Sequence, residues 1–185
     1  MTEPTMTGGP VSLDRLVAHE EIRQLAAHYA VALDSRDLDG LVALFAPDVQ
    51  VGRSRSGRDA LRRDFETSLA QVGVTILTVG THAIDLIDGD RATGVVYCLG
   101  EIEVGDQWVH QAILYRDTYR RVPEEGWRFV RRVHELWYGV VVTPNPLDQP
   151  PAEWPARSVG RGTVPQSWPT WGSFWAARQG DARPE

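Results

Sequence analysis

Apolar residues recur at helical spacing through the first third of the chain and at strand spacing through the middle, and this change of period divides the molecule. In LVAHEEIRQLAAHYAVALDS the stripe Ile22, Leu25, Ala26, Tyr29 and Leu33 follows one face of a 3.6-residue repeat. Ser12 can cap that stretch, so the pattern predicts a helix from about Leu13 to Ser35. Asp37 can cap a second, short helix that ends before Pro47. A short strand around Val49 to Gly52 and a third helical stretch, GRDALRRDFETSLAQVG, follow. From Thr75 the period becomes two. Strands are predicted over Thr75 to Ile87, Ala92 to Val104, Trp108 to Arg121 and Trp127 to Val142. The breaks between them, AspGlyAsp at 88 to 90, GlyAsp at 105 to 106 and ProGluGluGly from 123, are hairpin chemistry. Helices first and an antiparallel meander after them give an α+β architecture, with the helices on one face of a curved sheet that folds around a pocket.

Past Pro144 both periods stop. Trp154, Trp168, Trp171 and Trp175 fall among prolines and glycines, a composition that predicts neither a regular strand nor a long helix. It is also too aromatic for a free disordered tail. The segment is expected to run as an irregular strap against the mouth of its own pocket, roofing it, or against a neighbouring subunit. The organisation is therefore a flexible N-terminus over 1–11, a single domain over 12–143 and a Pro/Trp-rich extension over 144–185.

Composition narrows the function. With 185 residues and 42% hydrophobic content, one core is enough and no second catalytic domain is needed. The net charge of -6 and the scattered arginines form no basic stripe, which argues against a nucleic-acid partner. All 19 basic residues are arginine, so a Schiff-base lysine is ruled out. The single Cys98 sits in the apolar run GVVYCLG and reads as a buried small hydrophobe. The N-terminus lacks a signal-peptide pattern and no apolar run is long enough for a membrane span, so a cytoplasmic location and no membrane partner are expected. The histidines lack metal-ligand spacing, and neither a metal nor a cofactor is expected.

The candidate chemistry lies where polar groups interrupt apolar patterns. His82 alternates with Ile84 and Leu86 and so faces the core side of its strand. Asp34 closes the first helix, and Tyr29 lies on that helix's apolar stripe. An unpaired polar group in such surroundings costs roughly 2 to 7 kcal/mol, so each is either satisfied structurally or kept for chemistry. An Asp34 carboxylate accepting the His82 N–H would fix the tautomer and leave the other nitrogen as a base. His110, in step with Ala112 and Leu114, is a candidate second proton donor. Glu101 and Arg132 read as surface charge.

The segments LVAHEEIRQLAAHYAVALDSRDLDGLVALFAPDV, THAIDLIDGDRATG and AILYRDTYRRVPEEGWRFVRR together resemble the SnoaL-like branch of the nuclear-transport-factor-like superfamily, over about residues 12 to 140. The resemblance implies a cone-shaped α+β barrel: three N-terminal helices packed on a curved, mostly antiparallel sheet, an apolar pocket inside, and assembly as a homodimer or homotrimer. Within that branch Tyr29, Asp34 and His82 match the places of a catalytic Tyr, Asp and His in the scytalone dehydratase, bile-acid 7α-dehydratase and hexachlorocyclohexane dehydrochlorinase group. The implied activity is a cofactor-independent lyase, dehydratase-like, or an isomerase acting on a small hydrophobic cyclic substrate, with His82 as base, Asp34 stabilising it and Tyr29 bonding the leaving hydroxyl or enolate. The alternatives are a non-catalytic small-ligand-binding domain and a polyketide cyclase on the same fold.

Overall fold

The computed structural model describes residues 12–181, so the expectation for residues 1–11 lies outside the described part. Helix α1 (Leu13–Asp34) starts where the Ser12 hydroxyl accepts the Arg15 N–H, and α2 (Leu38–Ala43) starts where Asp37 accepts the Gly40 N–H. Between them Arg36 turns the chain at φ 59°, in the left-handed region that non-glycine residues seldom enter. That conformation sends its side chain inward, where only 2% of the residue remains exposed. The guanidinium donates to the carbonyls of Leu33, Val72 and Gly73 and to the Thr75 hydroxyl. This one side chain ties the α1–α2 turn to the start of the main sheet.

A small ribbon, β1 (Gln50–Val51) and β2 (Arg55–Ser56), leads into α3 (Arg58–Leu69). The main sheet then runs β3 (Thr75–Leu86), β4 (Arg91–Val104), β5 (Gln107–Val122) and β6 (Gly126–Val142), each antiparallel to the one before. It is an open, curved four-stranded sheet; the expected barrel does not close, and the cone is completed by the helices. Alternation on β4 and β5 sends Ala92, Val96, Cys98, Tyr115 and Tyr119 to the inner face, where they meet Ile22, Leu25 and Tyr29 of α1. Burying each large apolar side chain of this kind contributes about 1.5–3 kcal/mol.

Three irregularities set which polar groups face inward. The pairing Val79↔Cys98 is followed by His82↔Val96, so β3 carries one extra residue there and both Val79 and His82 point to the inner face. On β6 similar shifts accompany the pairs Tyr119↔Phe129 and Ile113↔Leu136. The first of these leaves Phe129 and then Arg132 on the inner side. A single alternation could not have served both.

The C-terminal extension differs from its expected form. Its first part is irregular, with a 3-10 turn at Pro146–Asp148, but Pro169–Asp181 is a helix, α4. Pro169 sits in the first turn, where its missing N–H removes no helical bond, and no further proline interrupts the helix. Trp171, Phe174, Trp175 and Arg178 then recur at helical spacing. Trp171 packs with Val74 and Trp108, Phe174 joins the main core, and the Thr170 hydroxyl donates to the Ser35 carbonyl at 2.9 Å. The tail therefore covers the Asp34–Arg36 end of the cone.

Candidate functional site

The two residues expected to pair lie at different levels of the cone. Asp34, the last residue of α1, is 9% exposed and faces the beginning of β3. One carboxylate oxygen accepts the Thr75 hydroxyl at 2.9 Å and the other accepts the Leu77 N–H at 2.9 Å. Burial pushes its pKa up, while those two hydrogen bonds and the nearby Arg36 pull it down. Among the described residues no hydrogen bond joins Asp34 to His82, so the expected Asp–His pair is not formed. The physical reason is the register. Asp34 is spent on Thr75 and Leu77, whereas His82 lies past the bulge, opposite Val96.

His82 has other partners. Its Nε2 lies 3.0 Å from the Tyr119 hydroxyl oxygen, and that hydroxyl donates to Asp117 at 2.8 Å. Asp117 in turn accepts two N–H groups of Arg132, from Nε and Nη2, both at 3.0 Å. This ion pair is closed to water, with the side chains 4% and 0% exposed for Arg132 and Asp117. The Arg132 guanidinium also lies 4.3 Å from the Tyr29 ring centre, 4.2 Å from that of Tyr115 and 4.6 Å from that of Phe129. Its Nη1 is buried with no hydrogen-bond partner among the described residues. A buried charged donor left in that state is costly unless something other than the protein completes it.

The electrostatics follow from this arrangement. Burial, and then the Arg132 charge, lower the His82 pKa to about 4, so the imidazole is neutral near pH 7. Burial likewise pushes the Tyr29 hydroxyl upward, and Tyr119 is pushed up by burial and by its Asp117 acceptor. Burial raises the Asp117 carboxyl while Arg132 opposes the shift. The bidentate geometry is that of a carboxylate with a guanidinium.

Tyr29 lies in the interior as expected, 8% exposed, its ring edge-on to Phe45, Phe65, Tyr115 and Phe129. The centre of the cone is thus packed with aromatic rings. His110 does not join the site. It pairs with Glu101 across β4 and β5, five residues from the His82↔Val96 position, and so lies on the outer face. There its Nε2 sits 3.4 Å from Glu101, and both side chains are 44% exposed. The outer face also carries the most apolar groove described, about 440 Å³, lined by Tyr97, Leu99, Ala112, Trp137 and Tyr138 among others.

Arg132 is the correction with the largest consequence: expected at the surface, it is buried on the inner face. Asp117 and Tyr119 were not singled out, although the alternation Tyr115, Asp117, Tyr119 in a strand with apolar neighbours already places an acid among inward aromatics.

A helix-covered antiparallel cone with polar side chains projecting from its concave face defines the nuclear-transport-factor-like fold. Residues 14–133 match the SnoaL-like domain, and the chain belongs to that family. It is 33% identical over 121 residues to the uncharacterized protein Rv2910c of Mycobacterium tuberculosis, covering 61% of this chain and 81% of that one. Solved structures share the fold at lower identity. A candidate scytalone dehydratase of Novosphingobium aromaticivorans superposes with a TM-score of 0.62 at 22% identity, over 71% of this chain and 92% of its own. The hexachlorocyclohexane dehydrochlorinase LinA-type3 of Novosphingobium barchaimii gives 0.60 at 21%, over 72% and 95%. No helix among the described residues is long and apolar enough to cross a membrane.

Proposed function

We propose that the chain is a cofactor-independent lyase or isomerase whose reactive group is His82 and whose substrate is a small, largely apolar, cyclic molecule carrying a carbonyl or similar oxygen. The observation that carries this reading is the partnerless Nη1 of the buried Arg132 beside a neutral, half-buried imidazole. A substrate oxygen would complete the guanidinium and receive stabilisation as negative charge develops on it. His82 would remove the proton next to that carbonyl; the electron pair left on carbon would move toward the oxygen as an enolate or expel a leaving group. Tyr29 would bond that oxygen or the departing hydroxyl. An imidazole with a pKa near 4, depressed first by burial and then by the Arg132 charge, is a weak base. The step therefore leans on Arg132 stabilising the negative charge that develops on the substrate oxygen. Asp34 has no direct part in the step. Dehydratase and dehydrochlorinase names among the fold neighbours support the reaction class.

The second reading is a non-catalytic ligand-binding domain, favoured by the absent Asp34–His82 hydrogen bond and by the aromatic filling of the cone. One panel separates them. Cyclic β-hydroxy ketones, β,γ-unsaturated ketones and halogenated cyclohexanes are offered to the protein, with product followed by ultraviolet absorbance or mass spectrometry and binding by calorimetry. Turnover of a carbonyl-bearing member, lost in His82→Ala, supports the enzyme; binding without conversion supports the binding domain.

A further inference from the structure

We infer that Tyr119 and Asp117 are positioning residues that hold His82 in one tautomer, Nε2–H, and leave Nδ1 as the only nitrogen able to take a proton. This deepens the reading of His82 as the reactive group and rests on it for its functional meaning, but the tautomer itself is a property of the resting protein.

The hydrogens along one chain of contacts fix the tautomer. Arg132 has only donors, so both of its bonds to Asp117 consume acceptor capacity on the carboxylate. Asp117, ionised in that pairing, also accepts from Tyr119 at 2.8 Å. A phenol has one hydrogen, and this bond uses it. The Tyr119 oxygen can then meet His82 Nε2 at 3.0 Å only as an acceptor, which requires the hydrogen of a neutral ring to sit on Nε2. Nδ1 is left with its lone pair. The whole sequence is anchored by a side-chain pair that is 4% and 0% exposed, so water does not compete for these positions.

The place that sequence patterns give to Asp34 is thus taken by a hydroxyl. A carboxylate bonded to the imidazole would stabilise its protonated form; a phenol oxygen orients the ring with far less pull on the proton. Besides Tyr119 of β5, with Asp117 behind it, the groups facing His82 are Arg132 from β6 and Arg23 and His19 from α1; burial most, and then these last three, disfavour a positive charge on the ring. In the resting protein this surrounding orients the ring without charging it.

The test is nitrogen-15 NMR of histidine-labelled protein, with the His82 signals assigned by their loss in His82→Gln. In the wild type the two ring nitrogens should show the Nε2–H pattern, Nδ1 unprotonated, and the ring should remain neutral to below pH 5. In Tyr119→Phe, which keeps the ring and removes the hydroxyl that accepts from His82 and donates to Asp117, the two tautomers should mix. A wild-type ring protonated on Nδ1 overturns the inference, even if the variant fails to fold. So does a folded Tyr119→Phe whose tautomer is unchanged. Loss of the proposed function would be seen separately, as turnover indifferent to His82→Ala while the tautomer stays fixed.

Discussion

Asp34 and His82 are both polar groups set into the same apolar interior, and they end in opposite conditions. Each Asp34 oxygen has its donor, Arg36 stands behind the Thr75 hydroxyl, and α4 covers the turn beside it. That end of the cone is closed and the carboxylate is satisfied, although the buried Arg36 Nε has no hydrogen-bond partner among the described residues. At the other end one imidazole nitrogen is tied to Tyr119, and the neighbouring guanidinium keeps a donor with no partner among the described residues. Burial alone therefore does not mark a reactive group. What sets the His82 end apart is that an unpartnered guanidinium nitrogen stands near an imidazole that has only one of its nitrogens bonded.

This contrast can be broken by substitution. The largest effect on stability is expected at the ion pair of the His82 end. Asp117→Ala leaves a dry guanidinium without its carboxylate and should cost about 3–5 kcal/mol in denaturant unfolding, because the uncompensated charge stays buried. A loss below 1 kcal/mol would mean that water reaches Arg132. At the Asp34 end, Asn can accept from only one of the two donors, so Asp34→Asn should cost about 1–3 kcal/mol. An unchanged midpoint would show that the carboxylate does not hold the start of β3.

Proton linkage sharpens the same comparison. The folded His82 pKa, near 4, lies below the ordinary value of 6.5, so the unfolded chain binds more protons between those values. The stability that this group contributes is present above pH 6.5 and is lost as the pH falls toward 4. Discounted for partial exposure, the loss is on the order of 1–2 kcal/mol. It should appear as the difference between the stability–pH curves of wild type and His82→Gln, which cancels the opposite drift of the buried carboxyls. Parallel curves would contradict the depressed pKa.

The smallest effect on the fold is expected on the outer sheet face, where Leu99, Trp137 and Tyr138 are each more than half exposed. We propose that a second copy of the chain covers this apolar surface. Trp137→Ser should then leave the unfolding midpoint of the monomer nearly unchanged while lowering the mass seen by light scattering. A wild-type monomer at micromolar concentration would refute that assembly.

How far the sequence was legible depended on whether a period stayed in phase. Ser12 and Asp37 announced the two N-terminal helices, and the turns at 88–90 and 105–106 delimited the strands to within a residue or two. His82 could be placed on the inner face because it alternates locally with Ile84 and Leu86. Arg132 could not. The extra residue on β6 near Val130 changes the phase between Phe129 and Arg132, and an arginine doublet otherwise reads as solvated edge. Asp34 was correctly seen as inward but given the wrong partner, since its bonds to Thr75 and Leu77 join segments about forty residues apart that no local pattern connects. The helix α4 was hidden by prolines that all precede its second residue, apart from one beyond its end.

The central claim is that chemistry resides at His82 and its Tyr119–Asp117–Arg132 support, and not in an Asp34–His82 pair. It is tested most directly by comparing turnover of one carbonyl-bearing substrate by folded His82→Ala and Asp34→Asn proteins under identical conditions. The account predicts that His82→Ala loses about 10²–10⁴-fold in rate, the usual contribution of a positioned base, while Asp34→Asn stays within about tenfold of wild type. Equal, severe losses in both variants would contradict it and restore the paired aspartate to the mechanism.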